Sequence, residues 1–326
     1  MRRLVIRQES WPIAGRFAIS RGSKTVAEVI VVEIQEDGAA GRGECVPYAR
    51  YGESIEGVAA VIEGMRGAIE NGLDRAGLQS RLPAGCARNA LDCALWDLEA
   101  KRRHQPAWRL AGLERPGPVT TAYTLSLDTA ENMGAAAKAQ AARPLLKLKL
   151  AGPADLDRVR TVRQNAPGAR LIVDANEGWS AGDYAALAPA LAGLGVDLIE
   201  QPLPAGADEA LQGLARTVPV AADESCHDRS SLARLAGRYD AVNIKLDKTG
   251  GLTEALALKR EALAAGYRVM VGCMLGTSLA MAPALLLAQG ADFVDLDGPL
   301  LLAKDRQPGL AYEGSRVASP APKLWG

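Results

Sequence analysis

The chain is short of aromatic residues, which make up 4% of its 326 positions, while Ala, Leu and Gly are plentiful. Close packing of helices on a sheet tolerates such a composition well. It also lacks any excess of charge: Lys+Arg and Asp+Glu both number 38. A balanced chain has no broad basic field to draw nucleic acid or an anionic membrane. The five cysteines (Cys45, Cys86, Cys93, Cys226 and Cys273) are scattered and odd in number, and no two form a Cys-x-x-Cys pair. That excludes a zinc knuckle and a disulfide framework and points to a reducing cytoplasm. No long apolar run is present. The best stretch, Leu279 to Ala288, is too short to span a bilayer and contains Pro283. Met1 to Gln8 is charged and then strand-like, so no signal peptide is expected. The two histidines, His104 and His227, join no catalytic set and read as structural.

The first hundred or so residues form one pattern. Ala27–Ile34 is a β-branched run that closes at Asp37-Gly38, a hairpin-turn signal. The return strand leads into Gly43-Glu44-Cys45. An amphipathic helix follows, with Val58, Val61, Ile62, Met65 and Ile69 on one face, and then a helix carrying Leu91, Ala94, Leu95 and Leu98. Residues 1–115 therefore read as a small α+β domain.

The next pattern is regular. Short apolar strands are expected at 119–124, 145–150, 171–175, 197–201, 219–224, 241–246, 268–273 and 293–297, at intervals of roughly 22–27 residues with Ala- and Leu-rich helical segments between them. Eight parallel strands over residues 116–300 imply a (β/α)-barrel. The competing open doubly wound sheet lacks support, because no Gly-x-Gly-x-x-Gly follows any strand. Residues 301–326 are expected to pack back on the first domain.

Strand interiors are costly places for ionisable groups, yet most of these strands end in one or two. In Leu145-Leu146-Lys147-Leu148-Lys149-Leu150, alternation turns both lysines one way and the leucines the other, so Lys147 and Lys149 must point into the barrel. Asp174, Glu200 and Asp223 end three successive strands. Side by side they would repel, and a hard divalent cation such as Mg²⁺ resolves the repulsion. Strands two and six of an eight-stranded ring are opposed, so Lys149 and Lys245 would face each other across the mouth, with the acids on the arc between them. Asp295 and Asp297, on strand eight, would face the acids.

This arrangement suits removal of a proton next to a carboxylate. A cation with Lys147 nearby would stabilise an enediolate. Crowding by other cations and partial burial are expected to lower a lysine's pKa so that it can act as a base. Two opposed lysines allow removal from one face and return to the other.

At these residues the chain resembles the enolase superfamily, in its muconate-lactonizing subgroup. The resemblance rests on Lys147-x-Lys149, Asp174-Ala175-Asn176 with Trp179, Glu200-Gln201-Pro202, Asp223-Glu224-Ser225 and Lys245-x-Asp247-Lys248-x-Gly250-Gly251, all in the family order. It covers the whole barrel and, more weakly, the first domain. It implies an enolase-type modified TIM barrel with an α+β capping domain, Asp174, Glu200 and Asp223 as Mg²⁺ ligands, and Lys149 and Lys245 as the two bases. The subgroup includes cycloisomerases, o-succinylbenzoate synthases and N-acylamino acid racemases. Asp295-Leu296-Asp297-Gly298-Pro299 looks like the Asp-x-Asp motif of its dipeptide epimerases, where the acids hold the substrate's ammonium group. Residues 18–24 and 47–54 look like the loops that close over the substrate in L-Ala-D/L-Glu epimerases. The family's loop arginine aligns with Lys24 here, and Arg21 is also available. Thr124, Cys273 and Met274 are expected to complete the substrate pocket. The expected partner is a small dipeptide, in the cytoplasm and in the recycling of cell-wall peptides, with homo-oligomerisation left open.

Overall fold

The computed structural model describes residues 1–152 and 154–326. The capping domain begins with three antiparallel strands, β1 (Arg3–Ile19), β2 (Gly22–Glu36) and β3 (Ala39–Cys45), in the order β1-β2-β3. The β2–β3 turn is the expected Asp37-Gly38, with φ of 51° and 82°. Both central residues are left-handed, as a two-residue hairpin turn demands. Four helices follow: α1 (Ile55–Gly64), α2 (Arg66–Glu70), α3 (Arg75–Arg81) and α4 (Cys86–Arg102). Ser54 and Asp74 cap α1 and α3 by accepting from the backbone N–H of Gly57 and Gly77. The expected amphipathic helix is thus two helices that meet at Met65. Val58 and Ile62 are buried, but Val61 turns outward and is 45% exposed.

α4 lies directly on β3, and the closeness is set by glycine. A Cβ at Gly43 would sit 2.1 Å from the carbonyl oxygen of Ala90, and one at Gly41 would sit 2.2 Å from that of Ala94. The obstacle in both cases is helix backbone, which cannot rotate away. Gly43→Ala should therefore cost about 2–3 kcal/mol, read as a lower urea midpoint with an unchanged slope. Gly64→Ala, where nothing lies within 4 Å, should be neutral or stabilising.

The barrel domain opens with a departure from the expected pattern. Val119–Thr120 (β4) does not belong to the barrel. Eight parallel strands form the barrel in sequence order: β5 (Tyr123–Leu125), β6 (Leu145–Lys149), β7 (Arg170–Asp174), β8 (Val196–Glu200), β9 (Val220–Ala222), β10 (Ala241–Ile244), β11 (Arg268–Val271) and β12 (Phe293–Val294). β4 instead pairs with β14 (Arg316–Val317), which pairs with β13 (Tyr312–Glu313), in a separate three-stranded sheet. Edge strands β5 and β12 meet through the N–H of Ala122, which donates to the Val294 carbonyl at 2.8 Å. Across the same seam the N–H of Thr124 donates to Asp297 Oδ2 at 2.6 Å, so a side chain replaces a ladder bond.

Strand alternation sorts the barrel interior into layers. Ala122, Leu145, Ile172, Leu198, Ala221, Ala241, Met270 and Phe293, one from each strand or its lead-in, pack together as an apolar floor. Two residues further along come Thr124, Lys147, Asp174, Glu200, Asp223, Asn243, Gly272 and Asp295. The intervening residues, such as Leu146, Leu148, Val173, Ile199, Val242 and Val271, join the core between strands and helices. The charged layer is thus the second storey of the barrel.

The two domains are joined by buried polar contacts. Asp247, just after β10, accepts from the N–H of Val46 at 3.1 Å and from Asn89 Nδ2 at 2.8 Å. Glu44 of β3 accepts from the N–H of Thr277 at 2.7 Å and from Arg306 at 2.9 Å. The C-terminal residues return to α4: Trp325 Nε1 donates to the Cys93 carbonyl at 3.0 Å, and the N–H of Gly326 donates to Asp97 at 2.7 Å.

Candidate active site

The charged layer and the strand ends above it converge on one cluster. Asp174, Glu200 and Asp223 are each at most 1% exposed. Lys149 Nζ lies 2.6 Å from Asp174 Oδ2, and Lys245 Nζ lies 2.6 Å from Asp223 Oδ2. Lys147 sits at the centre. Its Nζ is 2.7 Å from Asp295 Oδ2, 3.3 Å from Asp174 Oδ2 and 2.7 Å from Glu200 Oε2, the last without a directed hydrogen bond. The six residues expected to hold a metal and move protons are therefore together. Lys149 and Lys245 come from β6 and from the end of β10, four strands apart in the ring.

Electrostatics divides the acids. Burial opposes ionisation of Asp174, but Lys149 and Lys147 hold it down at about 2. Burial likewise opposes ionisation of Asp223, and Lys245 and Lys248 hold it well below the usual range. Glu200 goes the other way, pushed up by burial and by its neighbour Asp174. One lysine expectation is reversed. Burial would lower the pKa of Lys245, yet Asp223 and Glu200 outweigh it and raise it. Lys147 is likewise raised by Asp295, Glu200 and Asp174 against its burial. The carboxylates lie 2.6–4.0 Å from these amines, so attraction wins.

In its chemistry the donor set fits a hard cation, although each of the three carboxylates is drawn to a lysine and they do not close on one point. The set consists of three buried carboxylates on adjacent strands, with Glu200 Oε2, Asn176 Oδ1 and Asn243 Oδ1 nearby and without hydrogen-bond partners among the described residues. Soft ligands are absent from it. Cys45, Cys86 and Asp247 form a separate buried group at the domain joint.

Above the cluster opens a cavity of about 620 Å³ between barrel and cap. Lys149, Lys245, Asp223 and Glu224 lie at its base, Cys273 and Met274 in its wall, and Phe17, Ile19, Arg21, Lys24, Tyr48 and Arg50 in its roof. Phe17 carries its ring 5.9 Å from Lys149 Nζ. Three residues expected in the pocket lie outside this lining: Thr124, Asp295 and Asp297 are buried next to it. Asp297 has its pKa raised to about 7 by burial and by Asp295. Both acids are close enough to Cys273 to raise its thiol pKa, with burial the larger cause.

Arg21 and Lys24 have different surroundings. Arg21 donates to the Asn176 carbonyl at 2.6 Å, Glu224 Oε1 at 2.6 Å, Tyr48 Oη at 2.9 Å and Glu177 Oε2 at 3.1 Å. Lys24 has no ion pair among the described residues, and burial lowers its pKa.

Several supporting residues had no role assigned from sequence, although Gln201 and Lys248 stand in its motifs. Lys248 is fully buried and donates to Asp223 Oδ1 at 2.6 Å, the Asp223 carbonyl at 2.6 Å and the Asn243 carbonyl at 2.9 Å. Asn243 donates to Glu200 Oε1 at 2.7 Å. Gln201 Oε1 accepts from the N–H groups of Asp223 and Ser225. Asn243 shares the inward parity of Lys245 and was legible on that ground. Lys248 lies past the strand end, where parity no longer applies.

Residues 1–112 match the mandelate racemase/muconate lactonizing enzyme N-terminal domain, and residues 128–311 match the enolase C-terminal domain-like family. The chain is 51% identical over 314 residues to an L-Ala-D/L-Glu epimerase of Escherichia coli, covering 96% of this chain and 98% of that one. It is 45% identical over 302 residues to an N-acetyl-D-glutamate racemase of Pseudoalteromonas, covering 91% and 95%. The crystal structure of an Agrobacterium tumefaciens enolase family member with homology to dipeptide epimerases, with bound sodium and L-Ala-L-Glu, superposes with a TM-score of 0.98 at 53% identity over 100% of both chains. Solved dipeptide epimerases at 27–31% identity are complexes with Mg and a dipeptide.

Proposed function

The chain belongs to the mandelate racemase/muconate lactonizing enzyme family, and from that premise we propose that it is a Mg²⁺-dependent dipeptide epimerase acting on L-Ala-D/L-Glu. The observation that carries the reading is the placement of two lysines four strands apart, each against a carboxylate of one buried acid cluster. Asp174, Glu200 and Asp223 would hold the cation, which when bound supplies positive charge to the substrate's carboxylate.

The chain's own residues do the rest. Lys147 adds a fixed ammonium beside the cluster. Lys149 and Lys245 stand on either side of the α-carbon, so one takes its proton and the other returns a proton to the opposite face. The ion pair with Asp223, reinforced by Glu200, holds Lys245 in its charged form, so its neutral form needs those carboxylates engaged elsewhere. Phe17 and the capping loops exclude water from Lys149. Asp297, with Asp295, receives the substrate ammonium. A substrate with an ammonium at one end and a carboxylate at the other thus spans the mouth from β12 to the acid cluster.

Lys24 is assigned to the substrate's side-chain carboxylate, since Arg21 is already engaged by four acceptors. The reading carries with it a cytoplasmic setting and a role in recycling cell-wall peptides. Among the described residues no helix is long and apolar enough to cross a membrane.

The test is exchange. With Mg²⁺ in D₂O, L-Ala-D-Glu should take deuterium at the Glu α-carbon and convert to L-Ala-L-Glu. Silence across a panel of dipeptides would defeat the assignment. Lys24→Met should raise KM for L-Ala-D-Glu by about 10- to 100-fold, the worth of a charge-assisted contact. Turnover of L-Ala-D-Ala, which lacks the carboxylate, should change little. Equal effects on both would remove Lys24 from side-chain recognition. The 45% identity to an N-acetyl-D-glutamate racemase favours a second reading, in which the amine is acylated. Asp297 separates the two.

A further inference from the structure

Two loops of the cap and two loops of the barrel meet on a single carboxylate. Glu177 lies three residues past Asp174, and its side chain is only 7% exposed. Arg50, in the short turn Ala49–Tyr51, donates through Nε to Oε2 at 2.7 Å and through Nη2 to Oε1 at 2.8 Å. Arg21, at the tip of the β1–β2 hairpin, donates to Oε2 at 3.1 Å. The N–H of Ala205, in the loop after β8, donates to Oε1 at 2.8 Å. One acid thus gathers the first capping loop, the second capping loop and the neighbouring barrel loop.

The backbone beneath Glu177 is held in an unusual shape to achieve this. Asn176 and Glu177 are consecutive non-glycine residues in the left-handed region, with φ of 46° and 65°. Such residues persist only where their surroundings hold them, and they cluster at functional sites. The surroundings here lie at both ends. Below, the N–H of Asn176 donates to Asp174 Oδ1 at 2.9 Å. Above, the Asn176 carbonyl accepts from Ser20 Oγ at 2.9 Å and from Arg21 at 2.6 Å. The turn therefore spans from an acid of the cluster to the tips of both capping loops, and those loops carry the pocket roof: Ile19, Lys24, Tyr48 and Arg50.

We infer that Glu177 is a positioning residue that latches both capping loops over the substrate pocket. It touches no substrate. It neutralises Arg50 and part of Arg21, and so fixes the loops that bring Lys24 and Phe17 over the lysines. The inference rests on the assignment of this pocket to a dipeptide, but its first readout needs no substrate.

Hydrogen–deuterium exchange of the full-length Mg²⁺-loaded protein is that readout. In Glu177→Gln, amides in segments 18–24 and 48–52 should exchange about tenfold faster, the equivalent of one lost charge-assisted contact, while the barrel strands keep their protection. KM for L-Ala-D-Glu should rise about tenfold with kcat within about threefold, and Mg²⁺ affinity should not move. Arg50→Ala cuts the same latch from the cap side and leaves the Asn176–Glu177 turn intact. It should repeat the loop exchange in milder form, which keeps the inference testable if Glu177→Gln folds poorly. Unchanged loop exchange in Arg50→Ala, or a joint loss of kcat and Mg²⁺ affinity in Glu177→Gln without faster loop exchange, would overturn the latch and leave Glu177 as a support for β7. Loss of dipeptide turnover in the wild type would instead defeat the substrate assignment and leave the exchange result standing.

Discussion

Lys149→Arg and Lys245→Arg should each lower epimerisation of L-Ala-D-Glu by at least about 10³-fold, near the upper range of a positioned acid–base group. Arginine keeps the positive charge that faces Asp174 or Asp223 at 2.6 Å, so the acid cluster stays compensated. What it removes is the ability to become neutral, since a guanidinium does not give up its proton in this range. The single variants should differ from one another in a diagnostic way. Each retains one working amine, and that amine reaches only one face of the α-carbon. One variant should exchange the α-proton of the D-Glu isomer with solvent deuterium, and the other should exchange that of the L-Glu isomer, neither with net inversion. Proton NMR in D₂O reads both isomers in one experiment. If a single lysine variant exchanged both isomers at the wild-type rate, the two-base arrangement would be wrong.

Asp297→Asn should reduce kcat/KM for the dipeptide by about 10²-fold or more, in line with removing one partner of a buried charge pair. The amide preserves the fold at this point, because its oxygen can still accept the N–H of Thr124 across the barrel seam, now bonded at 2.6 Å. The negative charge meant for the ammonium is lost. N-acetylglutamate has no ammonium, so its turnover should stay within a few-fold. A fall for both substrates would mean that the seam, not the charge, was disturbed. The same residue predicts a pH dependence. Burial and Asp295 raise its pKa to about 7, so below that pH it carries a proton and cannot pair with an ammonium. Dipeptide kcat/KM should climb as pH rises through about 7, and the climb should be absent in the Asn variant.

The layers of the barrel explain why so much of the site was legible. Alternation is a local property of an extended chain, so Lys147, Lys149, Asp174, Glu200, Asn243 and Asp295 could be assigned an inward direction from spacing to the apolar floor residues. The ring of eight then supplied the opposition of Lys149 and Lys245. Where the chain leaves the strands this reasoning fails. β4 looked like the start of the first barrel strand because Val119 and Thr120 favour extended structure. Its partner, β14, lies almost two hundred residues away, and no local signal reveals such a pairing. Val61 has the spacing of the apolar face, but α1 buries only Val58 and Ile62, a narrower stripe than that spacing predicts.

The loop residues show the same limit more sharply. Arg21 and Lys24 are both cations in one segment, and sequence treats them alike. Their difference is that Arg21 meets Asn176, Glu177 and Glu224, which come from two other loops, whereas Lys24 makes no ion pair among the described residues and feels Glu28 only from farther off. Likewise, the rise in the pKa of Lys245 comes from Asp223 at 2.6 Å and Glu200 at 4.0 Å, distances that spacing along the chain does not carry. The order and inward aim of the proposed catalytic residues came from the chain alone, because periodicity is written into neighbouring residues. Which cation is left without an ion pair, which acid has its pKa pushed up and which carboxylate ties the loops down were decided only by the tertiary structure, because charge interactions depend on distances between residues far apart in sequence.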